Sequence, residues 1–157
     1  MKNLTETEAY RRARRILAAP DSPLKSLRLK VMLDGKTLVM ATPRLKKGYA
    51  VVENPPARPS GTIRWIMANA KFQSSPGPVD LVVQGCVAVD RYGWRLGKGG
   101  GYGDREISLA RSLNPEVKVA VICHSLQVVE RLPHEKWDQK VDLICTEKEC
   151  MKALRKI

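Results

Sequence analysis

Residues 90–105 read Asp-Arg-Tyr-Gly-Trp-Arg-Leu-Gly-Lys-Gly-Gly-Gly-Tyr-Gly-Asp-Arg, and five of the eleven glycines fall within 97–103. Without a Cβ, glycine takes positive φ and lets backbone amides approach a ligand closely. Successive N–H groups in such a loop can face one concavity and hold an anion. A helix opening near Asp104 adds its positive N-terminal end to the same place. The chemistry on offer is a phosphate cradle formed by Arg95, Leu96, Gly97, Lys98, Gly99, Gly100, Gly101, Tyr102 and Gly103, with Asp104 available for a divalent cation. The generic signatures are absent. Lys98 precedes the glycine run, so this is no Walker loop, and position 102 is tyrosine, so the dinucleotide fingerprint fails. A surface turn is the plain alternative. The flanking charges and the apolar run leading into the loop weigh against it.

Such a loop needs elements to aim it. Residues 79–89 are apolar apart from Asp80 and Gln84, the pattern of a central strand covered on both faces. They lead into the loop, and 104–113 should form the helix after it. Residues 117–123 and 141–145 read as further buried strands, with His124 at the end of the first. Thr146 is expected to cap a short terminal helix carrying Lys148, Lys152, Arg155 and Lys156. Upstream, Thr5 with Glu8 and the spacing of Ala9, Ala13, Ile16 and Leu17 predict a helix over 5–19. Its basic side chains, Arg11, Arg12, Arg14 and Arg15, form a solvated face or reach a phosphate. Leu27, Leu29 and Val31 alternating with Arg28 and Lys30 predict a half-exposed strand over 26–32. Asp34-Gly35 then turns it into a partner strand over 37–41. Arg44 and Lys46 fall in a basic loop over 42–48. Prolines 55, 56 and 59 mark irregular chain, and 62–72 reads as a short helix. Apolar strands alternating with helices predict an α/β fold: three layers around a mainly parallel, Rossmann-like sheet, with ligand groups at its carboxyl end.

A chain of 157 residues fits one domain, with a core resting on Val, Leu, Ile and Ala because there is one Phe. No apolar run approaches ~20 residues, and the start lacks a signal peptide's apolar segment, so a cytoplasmic protein without a membrane partner is expected. Cys86, Cys123, Cys145 and Cys150 form no Cys-x-x-Cys and are expected as buried free thiols. The formal charge of +12 favours anionic partners: nucleotides, polyglutamylated or phosphorylated small molecules, or nucleic acid. Few aromatics, 5%, argue against an aromatic-rich RNA-recognition sheet.

Residues 80–147 resemble the 5-formyltetrahydrofolate cyclo-ligase family, also called methenyltetrahydrofolate synthetases. The family's Asp, short turn and Arg-Leu-Gly-Arg-Gly-Gly-Gly-Tyr-Tyr-Asp-Arg are met by Asp90 and the run from Arg95 to Arg105. Its downstream pattern is met by Gln127, Glu130, Pro133, Asp138, Val141-Asp142 and Thr146-Glu147. The resemblance implies an ATP- and magnesium-dependent enzyme. It would phosphorylate the formyl oxygen of 5-formyltetrahydrofolate and release 5,10-methenyltetrahydrofolate, ADP and phosphate. It also implies that the loop holds the ATP phosphates, that Tyr102 and Lys98 lie at the transferred group, and that Asp104 and Asp138 coordinate magnesium. Such a role fits phosphoryl transfer, which rests on positioning and charge neutralisation.

The chain departs from the family where Gly103 replaces the second Tyr, Gly85-Cys86 replaces Pro-Gly, and Trp137 stands before the later Asp. The N-terminal Lys-x-x-Leu-Arg helix and the folate-binding Glu have no clear counterpart. Thr42-Pro43-Arg44-Leu45, Gly93-Trp94-Arg95 and Tyr102-Gly103-Asp104 are closer to the methenyltetrahydrofolate synthetase domain-containing branch, whose activity is not established. That branch carries more sequence ahead of the position matching Asn3, so the resemblance implies that this chain is a short form of that type. The expected function is the cyclo-ligase reaction on a reduced folate. The alternatives are a non-catalytic nucleotide- or RNA-binding relative and an enzyme of another phosphorylated metabolite.

Overall fold

The computed structural model describes residues 1–97 and 101–155. The chain runs α1 (Lys2–Thr5), α2 (Glu8–Arg12), β1 (Arg15–Ala18), α3 (Lys25–Leu33), β2 (Thr37–Ala41), β3 (Tyr49–Val52), α4 (Ile63–Asn69) and β4 (Lys71–Gln73). It continues through β5 (Leu81–Gln84), β6 (Ala88–Asp90), β7 (Arg95–Leu96), α5 (Tyr102–Leu113), β8 (Lys118–Ile122), β9 (Val128–Val129), β10 (Leu143–Cys145) and β11 (Cys150–Lys152). An eight-stranded sheet has the order β11-β10-β8-β5-β1-β2-β3-β4. Its middle, β10-β8-β5-β1-β2, is parallel, and antiparallel strands finish both edges. A small sheet, β7-β6-β9, stands beside it.

Side chains of one strand point alternately to opposite faces, so each central strand feeds two cores. Ile16, Leu38, Leu81, Val83 and Ala120 pack with α3 and α4 residues on one face. Leu17, Val39, Val82, Val119 and Val121 pack with Ile107 and Ala110 of α5 on the other. This is the expected three-layer α/β arrangement with a mainly parallel sheet. No described helix is long and apolar enough to cross a membrane.

Several local expectations fail for physical reasons. The helix expected over 5–19 ends at Arg12, and Ala13 is already extended. Asp80 Oδ2 then accepts from the Arg14 and Arg15 amides at 2.9 and 3.0 Å, which starts β1. Thr7, not Thr5, caps the preceding turn by accepting from Tyr10 N–H. The strand expected over 26–32 is α3, and Asp34-Gly35 ends that helix. The run over 79–89 breaks at Gly85-Cys86 and serves both sheets as β5 and β6. The end of the helix expected over 62–72 becomes edge strand β4. The terminal helix is instead β11, joined to β10 by a Cys145–Cys150 disulfide, so only Cys86 and Cys123 remain as free thiols. Lys156 lies outside the described residues.

Candidate functional site

Parallel strands deliver their carboxyl ends to one side. There Ala19-Pro20-Asp21 follows β1, the loop over 42–48 follows β2, Gly85-Cys86 follows β5 and Cys123-His124 follows β8. This is the side on which open α/β sheets hold ligands. Arg28, on α3, is fully enclosed and shapes part of it. Its Nε donates to the Gly61 carbonyl, and its Nη1 donates to those of Ala19 and Asp21, each at 2.8 Å.

The glycine loop is aimed by the β6–β7 hairpin. Buried Asp90 accepts from the Tyr92 and Trp94 amides at 3.0 Å and from the Leu132 amide at 2.9 Å, closing the hairpin and tying it to the following chain. Gly93, at φ 92°, lets the turn lie against Val141, where a Cβ would overlap the carbonyl. Arg95 leaves this hairpin and reaches beneath the first turn of α5. A Cβ on Gly103 would overlap Arg95 Nη2, so the glycine makes room for the guanidinium.

Among the described residues, Arg95 Nη1 makes one long bond, to the Gly85 carbonyl at 3.4 Å, and its buried Nε has no partner. Gln84 Nε2 donates to the Gly103 carbonyl and to Glu106 Oε1, at 3.1 and 3.4 Å, while its Oε1 is buried without a partner. Glu106 is half-buried with its carboxyl enclosed. Burial pushes that carboxyl up to about 7, against the lowering effects of Gln84 and Arg95. Tyr49 is raised by burial and by the Glu106 charge. It also lines a cleft of about 430 Å³ with Lys46, Lys47 and Phe72. The polar cluster and the cleft therefore adjoin.

α5 opens at Gly101, φ 68°, with no side chain capping its N-terminus. An uncapped twelve-residue helix and a half-buried arginine whose Nε is under-satisfied suit a polyphosphate. Lys98, Gly99 and Gly100, the centre of the expected cradle, lie outside the described residues. Leu96 and Tyr102 are exposed, and Gly97 is partly so. The Arg105 guanidinium lies 4.7 Å from the centroid of the Tyr102 ring.

The two expected metal ligands fall on adjoining segments. Asp104 Oδ1 accepts from the Gln139 amide at 3.0 Å, and Asp138 is the preceding residue, with its Oδ2 accepting from the Glu135 amide at 2.8 Å. Among the described residues no three His, Cys, Asp or Glu side chains converge. One or two carboxylates still suit magnesium, which keeps most of its waters. Trp137 is exposed beside them.

The remaining candidates lie on the surface or serve as struts. Arg44 and Lys46 are exposed in their loop, as are Arg11, Arg12 and Arg14. Arg15 is held by the Pro76 carbonyl at 2.8 Å. His124 caps a short turn, its Nδ1 accepting from the Leu126 amide at 3.0 Å. Gln84, Glu106, Tyr49 and Arg28 were not anticipated as site-shaping residues. Only Gln84 left a trace in the sequence, as one of two polar breaks in the run over 79–89.

A model of the 5-formyltetrahydrofolate cyclo-ligase family matches residues 1–147. A human methenyltetrahydrofolate synthase domain-containing protein is 34% identical over 160 residues, a match covering 92% of this chain and 42% of the human one. The bovine counterpart is 36% identical, with 88% and 40% covered. This chain thus spans about two-fifths of the length of these curated relatives. The 5-formyltetrahydrofolate cyclo-ligase of Escherichia coli K12 is 37% identical over 68 residues, 43% of this chain and 36% of that one. In three dimensions, the chain resembles a 5,10-methenyltetrahydrofolate synthetase from Aquifex aeolicus with a TM-score of 0.70 at 23% identity, covering 99% of this chain and 80% of that one. At that identity the likeness speaks to the fold. Since the family match runs through almost the whole sequence and the sheet agrees with it, the chain belongs to the 5-formyltetrahydrofolate cyclo-ligase family.

Proposed function

We propose that the chain carries an ATP- and magnesium-dependent 5-formyltetrahydrofolate cyclo-ligase activity, converting 5-formyltetrahydrofolate to 5,10-methenyltetrahydrofolate. The observation that carries this reading is Arg95: a half-buried side chain under an uncapped helix start, its enclosed Nε without a partner among the described residues. Arg95, Leu96, Gly97, Lys98, Gly99, Gly100, Gly101, Tyr102 and Gly103 hold the triphosphate, with Lys98 and Tyr102 beside the group that moves. Asp104 and Asp138 hold magnesium, which when bound neutralises phosphate charge. The reduced folate takes the cleft beside Tyr49, whose volume suits a small-molecule site. Arg95 supplies fixed positive charge where negative charge collects, and the enclosure around Gln84 and Glu106 excludes water.

The test is the absorbance of methenyltetrahydrofolate formed from 5-formyltetrahydrofolate with MgATP. Product is expected from the unaltered protein and lost in Asp104→Ala. No product at high protein concentration, with MgATP still bound by calorimetry, would exclude the catalytic reading.

A non-catalytic nucleotide- or RNA-binding relative is the second reading, favoured by exposed Arg11, Arg12, Arg14, Arg44 and Lys46 on a chain of charge +12. It predicts RNA affinity that falls steeply with salt as counterions are released. Absence of RNA binding near physiological salt counts against the RNA form of this reading.

A further inference from the structure

We infer that Cys86 and Cys123 form a dithiol that a hydroperoxide closes into an intramolecular disulfide beside the carboxyl-end cluster. The pairing follows from strand register. β5 and β8 are parallel, with Leu81 opposite Lys118 and Gln84 opposite Val121. Cys86 and Cys123 each follow two residues beyond that last pair, past the ends of β5 and β8; the next parallel pairing sets Val89 against Val128, so both cysteines lie between two registered pairs. Neighbouring strands lie about 4.8 Å apart, and in-register side chains share a face. That spacing falls within the roughly 4.4–6.8 Å between Cα atoms that a disulfide accepts.

Both positions are anchored. The Cys123 amide donates to the Cys145 carbonyl at 3.0 Å, which keeps it in line with β10. The Cys86 carbonyl accepts from Gln127 Nε2 at 2.8 Å. Both side chains pack against the same core cluster, which includes Val82, Val121 and Ile144. Donation by the Cys86 S–H holds Cys123 below the ordinary thiol range, against the opposing effects of burial and the Glu147 carboxylate. The same bond, followed by burial, pushes Cys86 up, and the Arg95 charge opposes it. Cys123 is thus the nucleophile, and Cys86 keeps its proton until it is needed. Both residues are half-buried, open enough for a small oxidant. Cys145 and Cys150 are already joined to each other.

The Cys123 thiolate attacks the hydroperoxide, the O–O bond breaks, and an alkoxide or hydroxide leaves and takes up the proton released by the pair. Cys123 sulfur, oxidised by two electrons, is then a sulfenic acid. Cys86 sulfur attacks it, the S–O bond breaks, water leaves and the S–S bond forms. Two thiols and one hydroperoxide give one disulfide, one alcohol or water, and one further water.

The experiment treats the intact protein with one equivalent of tert-butyl hydroperoxide, alkylates remaining thiols with iodoacetamide, and maps non-reduced peptides by mass spectrometry. A peptide pair joined through Cys86 and Cys123, lighter by two hydrogens and separated by dithiothreitol, is expected, with the Cys145–Cys150 pair unchanged. Cys86→Ser should leave Cys123 as a sulfenic acid that dimedone traps, and Cys123→Ser should leave Cys86 alkylatable. Persistence of both thiols overturns the inference. So does over-oxidation of Cys123 beside a free Cys86, linkage between two copies, or exchange with Cys145 or Cys150. Mapping of the unaltered protein decides the matter even where a variant folds poorly.

Discussion

Gly103 matters for the volume it leaves to Arg95. Any side chain at this position competes with the distal end of a flexible arginine, so the cost falls on the guanidinium's position before it falls on the fold. Gly103→Ala should change folding stability by no more than about 1 kcal/mol, the low end for crowding a packed site, measured by urea denaturation. It should weaken MgATP binding at least as far as Arg95→Lys does, since an ammonium cannot reproduce the guanidinium fork. Calorimetry reading wild-type affinity in either variant sinks the assignment of Arg95 to the phosphates. At this scale the sequence was legible in part. The glycines and Asp104 could be named from type and spacing and Asp138 through the family resemblance alone, and Asp104 and Asp138 do fall on adjoining segments. The Arg95–Gln84–Glu106 cluster could not, because it needs a hairpin and a helix turn brought together by the sheet.

At the scale of elements, Arg28 explains one misreading. The alternation of Leu27, Leu29 and Val31 looks strand-like while Arg28 counts as a polar, outward residue. Once Arg28 is inside, the buried set Leu24, Leu27, Arg28, Val31 and Met32 has helical spacing. The partners that make burial tolerable are carbonyls at Ala19, Asp21 and Gly61, remote from any local pattern. Arg28→Met should cost about 2–4 kcal/mol in chemical denaturation, because several buried acceptors lose their donor. A loss below about 1 kcal/mol would show that water replaces the guanidinium freely.

The end of β8 is tied to the loop after β10 by Glu147, which accepts from the Ser125 hydroxyl and amide at 2.6 and 2.7 Å. The hydroxyl, then the amide, hold its carboxyl down at about 2, from 4.5. A lowered acid stabilises the fold above its unfolded value and stops doing so as pH falls through the folded one. The Glu147→Gln variant should therefore be less stable than wild type at neutral pH, with the gap closing as pH drops from about 4.5 toward 2. A gap unchanged across that range would contradict the tie.

For the whole molecule, the layer order was legible because buried parallel strands announce themselves as continuous apolar runs. The edges were not. β4 and β11 are short, and their identity rests on neighbours: β3 for the one, and β10 with the Cys145–Cys150 link for the other. A crosslink closing so short a segment contributes only about 2 kcal/mol by chain entropy. Reduction with dithiothreitol should thus loosen β11 alone in hydrogen exchange and leave the central strands protected. Protection lost across β5 and β8 would mean that the edge governs the whole sheet.

The glycine loop starts from β7, in the three-stranded sheet, and ends in α5, which packs on the eight-stranded one. The small sheet and α5 share one core, because Val89 of β6 and Val128 of β9 pack in the cluster that holds Ile107 and Ala110 of α5. A triphosphate held at the start of α5 should be felt through that core at Val128 and Val129, which pair with β6 and have no part in gripping the ligand. Slower amide exchange at those two residues on adding MgATP would make the small sheet a gauge of occupancy.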